Sequence, residues 1–175
     1  MIYITGDCHG NFERFNPSIF PEQNEMTKED YVIICGDFGG VWHKGAESNE
    51  ETMVLDWLDS RPFTTLFVCG NHENFDRLYQ YPVENWHGGK VHKIRESVIH
   101  LMRGQVFKIA EKKIFSFGGA SSHDIQGGVL ELDDPEFEKK YAALSKGDLP
   151  FRINHWSWWK QELPSKEEME EGWQN

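Results

Sequence analysis

Three short stretches combine acidic, imidazole and amide side chains with glycine. They are Gly6-Asp7-Cys8-His9-Gly10-Asn11, Gly36-Asp37-Phe38-Gly39-Gly40 and Gly70-Asn71-His72-Glu73-Asn74. Asp, His and Asn donate through hard-to-borderline oxygen and nitrogen atoms, which suits Mn²⁺, Fe, Zn²⁺ or Mg²⁺ rather than a thiolate site. A neighbouring glycine lets the backbone turn sharply and approach a ligand closely. Asp7 and His9 stand at i and i+2, so a turning chain can aim both at one ion. Asp37 can place one oxygen on each of two ions. Turn formation alone is the competing explanation, because Asp and Asn beside Gly are common turn residues.

Each stretch follows a short apolar run: Ile2–Thr5, Tyr31–Cys35 and Thr64–Cys69. Nearly continuous apolar runs of this length predict strands buried on both faces. Ser48–Ser60 sets Met53, Leu55, Trp57 and Leu58 among acids and predicts a helix stopped by Pro62. Strand, helix and strand at this spacing make a βαβ pattern. In open α/β sheets ligands gather beyond the carboxyl ends of the strands, which is where the three stretches fall. Further on, Val98–Met102, Val106–Ile109 and Lys113–Phe117 are separated by tight turns and predict an antiparallel meander. A polar loop follows, Gly118-Gly119-Ala120-Ser121-Ser122-His123-Asp124. Pro135 to Lys146 reads as a helix with Pro in its first turn, and Ser165-x-x-Glu168 as the capping box of a last one.

GDCHG, GDFGG and GNHE, in this order and spacing, resemble the first three motifs of the calcineurin-like metallophosphoesterases, and the Gly118-Gly119 pair resembles that family's later glycine pair. The resemblance covers residues 1 to about 128 well. It implies an α/β fold, a metallophosphoesterase-like β-sandwich flanked by helices. It implies hydrolysis of a phosphate mono- or diester by a metal-activated water. Asp7 and His9 would bind the first of two divalent ions, Asp37 would bridge both, and Asn71 would bind the second. His72 would stand beside the phosphate and protonate the leaving group, with Asp37 or Glu73 holding its tautomer.

The family's later Thr-His and Gly-His-x-His motifs have no counterpart here: neither His123 nor His155 sits in such a setting, and no His follows His155. The sequence therefore reads as one domain over 1–175, incomplete at its C-terminus and lacking the last strands, by truncation or by degeneration of the pattern. Asp7, His9 and Asp37 still give the first ion three donors, enough for a catalytic site. Asp37 and Asn71 give the second only two. The expectation is one well-held ion, a weak or empty second site and low activity. The alternative is a non-catalytic metal- or phosphate-binding module. A sheet without its later strands exposes an edge, so a homo-oligomer through that edge is expected.

Lys plus Arg is 18 against 29 Asp plus Glu, a net charge of −11. That disfavours a nucleic-acid partner and an anionic membrane surface. No apolar run spans a bilayer, no secretory signal opens the chain, and three scattered Cys suit a reducing cytoplasm. Asn85–Lys113 carries seven Lys or Arg against two Glu, centred on Lys90, Lys93, Arg95 and Arg103. It reads as a solvated surface, with phosphate steering as the sharper alternative.

Several single residues have two readings. Asn11 contacts phosphate or caps the helix after it. Glu73 orients His72 or starts a helix. His123 contacts substrate or replaces a ligand, or it is simply solvated. His43 follows the second motif and could line its rim, whereas His87, His92, His100 and His155 read as surface or structural. Trp156, Trp158 and Trp159 read as core or interface before base stacking. Cys8, inside a metal motif, reads as redox-sensitive; Cys35 and Cys69 read as small buried hydrophobes.

Overall fold

Strand β1 (Ile2–Thr5) pairs in parallel with β2 (Tyr31–Cys35), and β2 with β3 (Thr64–Val68). These pairings come from a computed structural model that describes all residues 1–175. Tyr31–Ile34 and Thr64–Phe67 are buried throughout, as strands covered on both faces must be. Helix α1 (Asn49–Asp59) crosses between β2 and β3. Its N-cap Ser48 and Glu51 form a reciprocal capping box.

The chain then turns through a short helix α2 (Phe75–Leu78) into β4 (Val83–Trp86) and β5 (Gly89–Arg95). His87 and Gly88 between them both have positive φ, 48° and 95°. That is the backbone a tight two-residue hairpin needs. Strand β6 (Val98–Leu101) closes the six-stranded sheet, whose order is β1-β2-β3-β6-β5-β4.

The expected meander is corrected here. β6 runs parallel to β3 and antiparallel to β5, while β7 (Gln105–Ile109) and β8 (Lys112–Ser116) form a separate hairpin. Burial explains the split. All four residues of β6 are buried, so it belongs inside the sheet, whereas β7 alternates buried and open residues and covers a face.

One face of the sheet packs Val32, Ile34 and Phe67 against Leu55 and Leu58 of α1 and Phe75 and Leu78 of α2. The other packs Tyr31, Ile33, Leu66, Ile99 and Leu101 against Phe107 and Ile109 of the hairpin. The result is a central sheet with helices on one side and a small β layer on the other.

Beyond the hairpin come β9 (Val129–Leu130), helix α3 (Phe137–Leu144), β10 (Arg152–Ile153) and helix α4 (Lys166–Gln174). Pro135 lies outside α3, whose N-cap position is Glu136. The Ser165–Glu168 capping box forms as expected.

The centre of the basic stretch is not a free patch, whereas Lys108, Lys112 and Lys113 are exposed as a solvated surface would have them. Lys90 pairs with Glu171, Lys93 with Glu84, and Arg95 with Glu47 and Asp56. Arg103 is buried and donates to the carbonyls of Gln161, Glu162 and Leu163 and to Glu168. No helix is long and apolar enough to cross a membrane.

Candidate active site

The three glycine-flanked turns meet at the carboxyl ends of β1, β2 and β3, and Asp37 laces them together. Its backbone carbonyl accepts from the amides of Cys8 and His9, at 3.0 and 2.8 Å. Its carboxylate oxygen Oδ1 accepts from the amides of Asn71 and His72, at 2.8 and 3.0 Å. One residue therefore ties the three turns together, the first through its backbone carbonyl and the third through its side chain. Its second oxygen, Oδ2, lies 3.7 Å from His9 Nε2.

The site demands close backbone approach at two glycines. A Cβ on Gly70 would fall on the Asp37 carboxylate and 2.6 Å from the Asp37 nitrogen. Gly39, at φ 68°, would set a Cβ 2.7 Å from the Gly10 nitrogen. Neither position accepts a larger residue without moving Asp37 or His9.

His9, Asp37 and His72 present ligand atoms that all lie within 4.8 Å of one another. Asp7 Oδ2 is 4.0 Å from His9 Nε2. The His9 and His72 rings meet edge to face at 4.8 Å. This nitrogen and oxygen set fits a hard-to-borderline divalent ion. Burial holds the His72 imidazole below the usual histidine range, and the Asp37 carboxylate partly opposes that shift.

Two clefts flank the centre. One of about 250 Å³ is lined by His9, His72, Trp42, His43 and the glycines Gly39 and Gly40. Trp42 stacks on His72, with ring centroids 5.9 Å apart. The other, about 580 Å³, is lined by Asp7, Asp37, Asn71, Cys35, Gly119 and His123. His43 thus lies on the rim, and His123 reaches the far cleft. The Asn11 side chain accepts from the Glu13 amide at 3.0 Å, a local cap.

Three expectations change. Glu73 neither orients His72 nor starts a helix. It is buried and accepts from the amides of Phe38 (2.8 Å) and Gly39 (3.3 Å), bracing the second turn; Asn74 caps α2. Burial pushes Glu73 up to about 8 against the pull of those two amides. Cys8 is also buried, its thiol pushed up to about 11, so it holds little reactive thiolate. Cys69 is buried as expected, but Cys35 is exposed.

The supporting residues were missed in the sequence. Arg14 donates to Thr5 Oγ1 and to the carbonyls of Gly6 and Asp7, fixing the first turn from behind. Glu51 accepts from the amides of Trp42, His43 and Ser48 and from Arg77, holding the cleft wall. Burial raises the Glu51 pKa, yet these donors outweigh it and hold the carboxylate at about 2. The Ser48-x-x-Glu51 spacing was a readable signal for this residue.

With this geometry, family comparison is decisive. The sequence profile of calcineurin-like phosphoesterases matches residues 1–173. The chain belongs to the calcineurin-like phosphoesterase family. Among its relatives in that family is lariat debranching enzyme A of Xenopus laevis, 27% identical over 143 residues, covering 74% of this chain and 26% of the relative. The lariat debranching enzyme of Danio rerio is 24% identical over 144 residues, with 75% and 24% covered. That of Drosophila pseudoobscura pseudoobscura is 30% identical over 100 residues, with 49% and 18% covered. The chain spans about a quarter of the length of the first two relatives. No solved structure gives a significant match.

Proposed function

We propose that this calcineurin-like phosphoesterase chain hydrolyses a phosphodiester with the help of divalent metal ions. One observation carries the reading: at the mouths of parallel strands His9 Nε2 lies 3.7 Å from Asp37 Oδ2 and 4.0 Å from Asp7 Oδ2, with a ring nitrogen of His72 within 4.8 Å of the His9 and Asp37 ligand atoms. Asp7, His9 and Asp37 would hold a first ion, and Asp37 with Asn71 would hold a second more weakly. When bound, such ions supply Lewis acidity to the phosphoryl oxygens and an acidified water for in-line attack.

The chain's own residues do the rest. Asp37 spends one oxygen on the Asn71 and His72 amides, so both ions would share the other, not one oxygen each as expected. His72 gives its proton to the departing alkoxide. An arriving phosphate anion raises the proton affinity that burial lowers. Trp42 packs against the His72 ring and holds it in place. His123 meets substrate from the larger cleft, whereas Asn11 lines neither cleft and its side-chain oxygen accepts from the Glu13 amide.

The relatives' names favour a diester over a monoester and make a lariat one substrate to assay. The test is Mn²⁺-dependent hydrolysis of bis(4-nitrophenyl) phosphate against 4-nitrophenyl phosphate. Expected are diester turnover that chelation abolishes, and loss to background in Asp37→Asn. Mn²⁺ binding without turnover of either ester would favour the non-catalytic binding module instead.

A further inference from the structure

We infer that Ser122 and Glu162 are positioning residues for Asn71, fixing its amide so that the carbonyl oxygen faces the metal centre. The inference deepens the reading of Asn71 as a metal ligand and rests on it. Asn71 Nδ2 donates to Ser122 Oγ at 3.2 Å. Ser122 Oγ in turn donates to Glu162 Oε2 at 2.5 Å, and the Ser122 amide donates to Glu162 Oε1 at 3.0 Å.

The direction of this chain is set by chemistry. A carboxylate only accepts, so it takes the one hydroxyl proton of Ser122. The hydroxyl oxygen can then only accept from Asn71, and only the NH₂ end of the amide can donate. The Asn71 carbonyl is left on the other side. Loss of the Nδ2 proton density toward Ser122 also makes that carbonyl a better donor to a cation, as hydrogen-bond chains polarise one another.

Glu162 is 2% exposed. Burying a carboxylate is costly unless something uses it. The turn that carries it is held by other bonds. Arg103 grips the Gln161 and Glu162 carbonyls, and Trp159 is anchored through its Nε1 to Asp76 at 2.7 Å. The Glu162 side chain is therefore free to serve Ser122. Sequence spacing hides the relay, because Ser122 and Asn71 are 51 residues apart and Glu162 lies 40 further on.

The experiment is calorimetric titration of the full chain with Mn²⁺ alone, alongside metal-free thermal melting. Asn71→Ala defines the component of binding that depends on this ligand. Ser122→Ala is expected to weaken that component roughly 10–100-fold, with Glu162→Gln moving it the same way, as removal of a ligand's orienting partner does. Ser122→Thr keeps the hydroxyl and is expected to restore the affinity. Ser122→Ala also takes a donor from the buried Glu162 and lowers the metal-free melting temperature, so the titrations are run well below that melt, where lost affinity reads positioning and not unfolding. If Glu162→Gln does not fold, the two Ser122 variants decide. Wild-type affinity in Ser122→Ala, with Asn71→Ala impaired, overturns the relay. Unchanged Mn²⁺ binding in Asn71→Ala overturns the ligand reading beneath it, and the relay with it.

Discussion

Two buried carboxylates brace neighbouring loops of the site in the same way and end in opposite states. Glu51 holds the amides of Trp42, His43 and Ser48; Glu73 holds those of Phe38 and Gly39. Glu51 is 6% exposed and Glu73 1%. Burial raises both carboxyls and prevails only at Glu73; at Glu51 three backbone amides oppose it first, and a cation adds to them. Arg77 reaches Glu51 at 2.6 Å, whereas Glu73 has Asp37 nearby and no positive partner. Glu51 is held at about 2 and Glu73 is pushed to about 8. At Glu73 burial, with the Asp37 charge, outweighs the backbone amides; at Glu51 the amides, with the guanidinium added, outweigh burial.

The comparison breaks most visibly at Arg77. Arg77→Met strands the Glu51 charge in the interior and is expected to cost roughly 3–5 kcal/mol in urea denaturation at pH 7. Next comes Glu51→Gln, which keeps one acceptor oxygen and loses the other, at about 2 kcal/mol. Its stability in the wild type is present above the ordinary glutamate range near pH 4.5 and is lost as pH falls toward about 2. The Gln variant is expected to lack that acid limb.

The same substitution at Glu73 should behave differently. A raised folded pKa means the folded chain holds the extra proton, so stability falls as pH rises from about 4.5 to about 8. In the metal-free chain the slope reaches about 1.4 kcal/mol per pH unit at most. Glu73→Gln mimics the protonated acid. It is expected within about 1 kcal/mol of wild type at pH 6 and relatively more stable than wild type at pH 9. Equal loss at both pH values would mean that Glu73 is ionised after all.

The smallest effect extends the rule to bases. His92 and His100 are buried across two strands with their Nδ1 atoms 3.0 Å apart, and burial lowers both. Their neutral forms suit the fold, so stability falls as pH drops below about 6.5, where the unfolded chain takes up protons. His92→Phe with His100→Phe should flatten that decline in melting temperature between pH 7 and 5.

What the sequence disclosed follows the range of the interactions. The three turns were legible because each is built from five or six consecutive residues, and α1 because its apolar face and Pro62 are local. The β6 crossover was not, since Val98–Leu101 looks like any short strand until burial on both faces assigns it a centre. Arg14 lies in a short turn between the buried Phe12 and Phe15 and gives no sign that it holds Thr5 and Asp7. Glu162 and Ser122 meet only through the folded chain. Glu73 was visible as part of GNHE, but its partners belong to the second turn, and a motif read alone assigns a residue to its own neighbours.

Gly70 carries a consequence for evolution and for mutational scanning. It has no side chain and no charge, yet any side chain there would collide with the carboxylate that holds the third turn. In a saturation library scored for activity, position 70 is expected to tolerate as few alternatives as position 37. Variants at 70 should fail with the fold's remaining parts intact, and compensating changes at a second site should be rare, because no neighbour can yield the space without surrendering Asp37.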